Sequence, residues 1–201
     1  ATGMPIKAIM FSMDRVLIYM FAKPTIKSIE NLKGGKTVAT TGLLATPTYA
    51  AKVMARAHGL NPDKDLIFIA MGDVATSLTA LQSGAADVAM LSIPFNFKAG
   101  ELGFRNLGSA VDYLQTPFAG VGASDAKLKT NPSEVKRMIR ATLKGIEFTR
   151  DPANHEKVIG LLMDEFKLDR KTAALSLREI IKVFTRDGTI PEDAVKAGIR
   201  E

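Results

Sequence analysis

Short apolar runs alternate with amphipathic stretches through the first half of the chain, and only amphipathic stretches follow. Ile6–Phe11 and Val16–Phe21 are apolar segments bounded by Pro5, by Asp14–Arg15 and by Pro24, and read as strands. A short helical turn from Ile29 is closed by Gly34 and Gly35, and Thr37–Thr40 reads as the next strand. The pattern then predicts a helix capped by Thr46, with Pro47 at its first position, running to His58 and stopped by Gly59. The unit recurs. Leu66–Ala70 is a continuous apolar strand, Asp73 is a helix N-cap, and the helix behind it ends at Gly84. Val88–Leu91 is a further buried strand, and Pro94 opens a helix ending at Gly100 or Gly103. Strands apolar on both faces, alternating with helices of about ten residues, imply a parallel α/β sheet with right-handed crossovers.

Phe118–Ala123 is one more extended segment, and from Pro132 the pattern is helical. A helix over 132–148 carries Val135, Met138, Ile139, Thr142 and Ile146 on one stripe. A second starts at Pro152 behind Asp151, and a third over 169–184 aligns Ala173, Leu177, Ile180, Ile181 and Phe184. Pro191 begins the last helix.

Composition narrows the chemistry. The 201 residues include no Cys, which removes thiolate metal sites, Cys nucleophiles and disulfides. The apolar run Val16–Ala22 is far short of the ~20 residues that span a bilayer. Ala1 follows no basic, apolar leader, so the chain reads as either cytoplasmic or already trimmed. The net charge of +6 is scattered, with Lys136, Arg137, Arg140 and Lys144 mixed with Glu147 and Asp151. That pattern is a solvated helix face, so no nucleic-acid partner is expected.

Several motifs fail on inspection. Lys33-Gly34-Gly35-Lys36-Thr37 has Glu30 where a phosphate-binding loop needs its first glycine, and it precedes its strand. Gly120-Val121-Gly122 lacks the third glycine of a dinucleotide fingerprint and reads as a strand that another backbone or a ligand approaches closely. His58 and His155 lie far apart with no metal-binding spacing, and Ser92 lacks the glycines of a nucleophile elbow. No catalytic residue, metal or cofactor is expected.

What remains is a set of loops that follow parallel strands, where open α/β sheets bind ligands. Thr41, Gly42, Thr46 and Thr48 lie after one strand, Gly72 and Asp73 after the next, and Ser92 after the third. Free amides and the helix dipole at such loops favour an anionic or polar group. These seven residues are the candidate ligand site.

The stretches Ile26–Thr40, Ala57–Ile69, Leu78–Ser92 and Pro94–Gly103, with Asn131-Pro132-Ser133-Glu134-Val135 before a long helix, resemble one family. They are similar to substrate-binding proteins of bacterial ABC transporters of the nitrate/sulfonate/taurine type, the NMT1/THI5-like group. The resemblance implies an α/β fold of the periplasmic binding protein type 2 kind, with a parallel-sheet lobe, flanking helices and a partial second lobe. It divides the chain into 1–25 as strands of lobe 1, 26–118 as lobe 2, and 119–201 as a crossover strand and helices packing toward lobe 1. Ala1-Thr2-Gly3-Met4-Pro5-Ile6 matches a stretch in the middle of the family's lobe 1, so the N-terminal part of that lobe is expected to be missing.

The implied function is solute binding for import, without catalysis. A small anionic or polar organic compound (sulfonate, nitrate or pyrimidine-like) would be held between two lobes that close about hinges near 22–28 and 114–120. The implied partner is a membrane permease, the implied location the periplasm. Two alternatives share the fold: an enzyme like the family's pyrimidine synthases, which use a Cys-rich iron-binding motif absent here, and a ligand-sensing domain without transport. An incomplete lobe 1 would leave Ile6–Phe11 and Val16–Phe21 with open edges and bare the 132–148 and 169–184 stripes, favouring a homo-oligomer.

Overall fold

The computed structural model describes residues 5–114 and 116–200. Ala1–Met4, on which part of the resemblance at the N-terminus rests, and Gln115, inside one expected hinge, lie outside the described residues. In chain order the strands are β1 (Ile6–Met13), β2 (Tyr19–Ala22), β3 (Lys36–Thr40), β4 (Leu66–Ala70), β5 (Val88–Leu91), β6 (Arg105–Ser109) and β7 (Ala119–Ser124). The helices are α1 (Thr46–Ala57), α2 (Pro62–Asp65), α3 (Val74–Ser83), α4 (Phe95–Glu101) and α5 (Asp125–Thr130). They continue as α6 (Pro132–Arg150), α7 (His155–Phe166), α8 (Arg170–Ile181) and α9 (Glu192–Arg200). Two compact units result: Leu17–Leu114, and Ala1–Val16 together with Gln115–Glu201.

The Leu17–Leu114 unit is built on a five-stranded sheet ordered β4-β3-β5-β2-β6. Its parallel part is β4-β3-β5, as the continuous apolar runs imply. β2 is antiparallel to both β5 and β6, so the sheet is mixed rather than wholly parallel. The expected strand Val16–Phe21 is also corrected: Val16–Ile18 is buried outside any strand, and the strand proper begins at Tyr19. It has no open edge, because a buried apolar strand requires backbone partners on both sides. Since β2 is hydrogen-bonded into this sheet, the unit starts well before residue 26.

Period-two alternation sorts the core. Phe21, Ala39, Ala89 and Leu91 pack with Leu78 and Leu81 of α3 and Ala99 of α4. Met20, Val38 and Met90 alternate with them and point to the other face. α1 lies against β5 and buries Ala50, Ala51 and Met54. β5 is buried along its whole length because helices cover both its faces.

The other unit holds an antiparallel ribbon, β1 with β7. β1 runs two residues beyond the expected Phe11, with register irregularities between Ala8 and Met10 and between Phe11 and Met13. Gly120 stands opposite Phe11, at the second of these, and an added Cβ there would sit 2.3 Å from the Met10 carbonyl oxygen. The segment after α8 caps the far edge of β1: Phe11 N–H donates to Gly188 O (2.8 Å) and Thr185 N–H to Ser12 O (3.0 Å). The helical stripes are not bare. Val135 and Ile146 of α6 are buried, and Ala173 and Leu177 of α8 pack with Val158 and Ile159 of α7. Met138 alone of the α6 stripe is more than half exposed.

One electrostatic cluster joins three segments of the sheet unit. The His58 ring sits with Nδ1 2.6 Å from Glu30 Oε1 and Nε2 2.8 Å from the Tyr113 hydroxyl oxygen. The Ser28 hydroxyl, and after it the His58 ring, hold the Glu30 carboxyl down from its ordinary 4.5 to about 2. A depressed carboxyl adds stability that is present above its unfolded pKa and lost as pH falls through its folded one. A Glu30→Gln chain should therefore lose less stability than the parent between pH 4.5 and 2. Urea unfolding at several pH values measures this, and equal pH slopes for the two chains contradict it.

Candidate functional site

Parallel pairing decides where the candidate residues fall. Thr40 stands opposite Ala70 at the ends of β3 and β4, and Met71 N–H donates to the Thr40 carbonyl at 2.7 Å. β5 runs in the same direction, so the loops 41–45, 71–73 and 92–94 leave the sheet at one edge. Tyr19, where β2 begins, stands opposite both Leu91 and Ser109, the last residues of β5 and β6. The first strand of this unit thus starts, and its last strand ends, at the edge that carries the three loops.

The structure brings Thr41, Gly42, Thr46, Thr48, Gly72, Asp73 and Ser92 to that edge but gives them different environments. Thr48 is buried, with its Oγ1 2.7 Å from the Gly42 carbonyl oxygen and 2.8 Å from Thr40 Oγ1. A hydroxyl carries a single proton, so Thr48 donates to Gly42 and accepts from Thr40. It fastens the loop from beneath. The helix cap is corrected: Ala45 occupies the cap position without a side-chain bond, and Thr46 is the first helical residue, exposed at the α1 start. Its next neighbour, Pro47, fits the first turn because no intrahelical donor is needed there.

Asp73 caps α3 as expected, accepting from Thr76 N–H at 2.8 Å and from the Thr76 hydroxyl at 2.9 Å. The backbone N–H and then the hydroxyl of Thr76 hold its carboxyl below the usual carboxylate range. Its negative charge therefore already answers the α3 dipole. Gly72 takes φ +85, and an added Cβ there would meet nothing within 4 Å, so conformation rather than space selects glycine. Ser92 is half-buried after β5, and its carbonyl accepts from Asn96 N–H.

Two features of this edge escape sequence patterning. Leu43 and Leu44 sit in the β3–α1 loop, with Leu44 wholly exposed. Two leucines between Gly42 and Thr46, where such loops are usually polar, are the signal that could have found them. Asn96, four residues after Ser92, is buried and its Oδ1 has no hydrogen-bond partner among the described residues. An asparagine in an otherwise apolar Phe-Asn-Phe turn was its only signal. Among the described residues, no group of three or more His, Cys, Asp or Glu side chains gathers as a metal site.

Against known proteins, the family described as NMT1/THI5 like matches residues 1–154. The chain belongs to that family. A riboflavin-binding protein, RibY, from Chloroflexus aurantiacus is 26% identical over 181 residues, which cover 88% of this chain and 49% of that protein. The alkanesulfonate-binding protein SsuA from Xanthomonas axonopodis pv. citri, solved bound to MOPS, superposes with a TM-score of 0.81 at 13% identity. That match covers 96% of this chain and 65% of the solved one. The periplasmic aliphatic sulphonate binding protein SsuA from Escherichia coli superposes with a TM-score of 0.76 at 19% identity, over 98% of this chain and 66% of its own. The fold is therefore that of periplasmic binding proteins. The chain spans about half the length of its curated relative and about two thirds of these solved chains.

Thr48→Val keeps the shape of the side chain but removes the shorter of two close donors to the Gly42 carbonyl, leaving the Ala45 N–H at 3.0 Å, and takes from buried Thr40 its hydroxyl partner at 2.8 Å. Removing one partner of a buried pair costs about 1–3 kcal/mol. Urea denaturation should register a loss of that size, and an unchanged midpoint would show that the loop is held by other means.

Proposed function

We propose that this chain is a solute-binding component of an ABC importer, taking a small anionic or polar organic compound without transforming it. The observation that carries the reading is the convergence of three strand-to-helix loops on one sheet edge, with Thr41, Gly42, Thr46, Gly72 and Ser92 as the ligand-facing set. Thr48 and Asp73 hold that set in place through the bonds described above. The α1 N-terminus supplies the positive end of a dipole and Thr46 its exposed hydroxyl, which together suit an anionic head group. Leu43 and Leu44 stand beside it and suit an apolar body, favouring an organic anion over bare nitrate. Family membership, and relatives named for binding riboflavin and sulfonates, support the class. A permease partner and a periplasmic location belong to the same proposal; among the described residues no helix is long and apolar enough to cross a membrane.

Titration calorimetry with an alkanesulfonate, nitrate and riboflavin tests the reading, the sulfonate being expected to bind most tightly. Thr46→Pro removes a hydroxyl and an N–H at a position where proline is compatible with the helix start. Losing hydrogen bonds to a charged group, about 1.5–3 kcal/mol, should weaken sulfonate binding roughly tenfold or more. Full affinity in the Thr46→Pro chain would contradict this placement of the head group.

A further inference from the structure

Charge on α6 is not spread evenly around the helix. From Val135 to Ile146 the sequence holds Lys136, Arg137, Arg140 and Lys144 and no acidic residue. At 3.6 residues per turn these four fall within an arc of about 100°, opposite the side that buries Val135 and Ile146. All four are exposed, and along the axis they span ~12 Å. Glu147 shares the arc but enters it only beyond Lys144.

The stripe has no counter-charge of its own. None of the four side chains makes an ion pair or a hydrogen bond among the described residues. Glu134, just before the stripe, is already held by Lys127 at 2.6 Å, and Arg137 acts on it only through its field. Other cations of the unit are answered: Lys7 by Asp125 at 3.2 Å, Arg170 by Glu156 at 2.6 Å and Lys182 by Glu179 at 2.8 Å. No apolar element suits this face of α6, because each cation desolvated beneath it would need a counter-charge.

What the arc lacks narrows what it fits. Between Lys136 and Lys144 it presents no aromatic side chain on which a nucleic-acid base could stack. Nor does it offer a large apolar anchor for a protein interface, whose core is depleted in lysine. A small anion is held by groups that converge in a concave site, and a convex helix face spreads its charges apart. A broad, yielding anionic layer needs none of these features, since a row of cations meets headgroup phosphates without shape fit. We infer that the exposed face of α6 is a docking surface for an anionic lipid bilayer, bound peripherally and reversibly through Lys136, Arg137, Arg140 and Lys144. A chain that serves a membrane permease, as proposed above, works beside such a surface.

Co-sedimentation with lipid vesicles at low salt tests this with no solute present, so the result is independent of the titrations above. The chain should pellet with vesicles containing phosphatidylglycerol and stay in solution with phosphatidylcholine alone. Sodium chloride at about 0.5 M, where the screening length is only a few ångströms, should release it. Each charge near the surface is worth about fivefold in partitioning, so Arg137→Gln/Arg140→Gln should weaken binding roughly 25-fold with an unchanged circular dichroism spectrum. Lys136→Gln/Lys144→Gln should have the same effect, which keeps the test open should the first pair fail to fold. Lys33→Gln/Lys64→Gln removes the same net charge from exposed positions of the sheet unit and should cost no more than about twofold. Failure to pellet with the anionic vesicles, equal binding to both vesicle types, or equal losses in the α6 and control pairs would overturn the inference. Capture by soluble polyglutamate but not by the vesicles would also overturn it, assigning the stripe to an acidic polypeptide.

Discussion

The parallel alignment of β3 between β4 and β5 is the constraint on which the rest of this protein depends. Val38 and Ala39 are fully buried, and their backbone groups have no partner but the neighbouring strands. Parallel pairing satisfies them and forces the chain to return each time through a helix on a face of the sheet. The return path places every strand-to-helix loop at the same edge. Thr40 beside Ala70, with Met71 N–H bound to the Thr40 carbonyl, makes that coincidence a matter of hydrogen-bond register. Loop positions therefore follow from the core, and the polar groups on those loops converge without any contact having to draw them together.

The loops are then fixed individually. Thr48 reaches from inside α1 to the Gly42 carbonyl, and Asp73 closes the first turn of α3. Both side chains were sequence candidates for the ligand site, and both do their visible work on the protein's own backbone. This leaves Thr41, Gly42 and Ser92, half-buried, and Thr46 and Gly72, exposed, on supports that would hold their amides in place for the proposed ligand. Pre-set donors of this kind reduce the ordering cost of binding. The exposed leucines at the tip of the same loop add an apolar neighbour to a polar edge, a combination suited to a compound with both characters.

Much of this was legible in the sequence because it is local. The apolar runs 66–70 and 88–91, the Asp73 cap, and the glycines closing their helices each depend on residues a few positions apart. What was not legible depends on partners far along the chain. The antiparallel insertion of β2 is decided by β5 and β6, roughly seventy to ninety residues away, and nothing in Tyr19–Ala22 specifies direction. The Glu30–His58–Tyr113 cluster draws on three separated segments, so neither histidine spacing nor motif inspection could reveal it. Ala45 rather than Thr46 at the α1 cap reflects a choice of one residue in the loop, where Pro47 is tolerated in either register. The expected open edge on β2 failed for the same non-local reason, while the burial of Ala173 and Leu177 against α7 shows that helices late in the chain supply their own cover.

The central claim is that the edge shared by the loops after β3, β4 and β5 receives the ligand. Amide chemical-shift mapping during titration with an alkanesulfonate tests it most directly. The account predicts the largest shifts at Thr41, Gly42, Thr46, Gly72 and Ser92, with the amides of β7 and α6 through α8 unmoved. Saturable shifts confined to the β1–β7 unit, with those five amides unchanged, would contradict it.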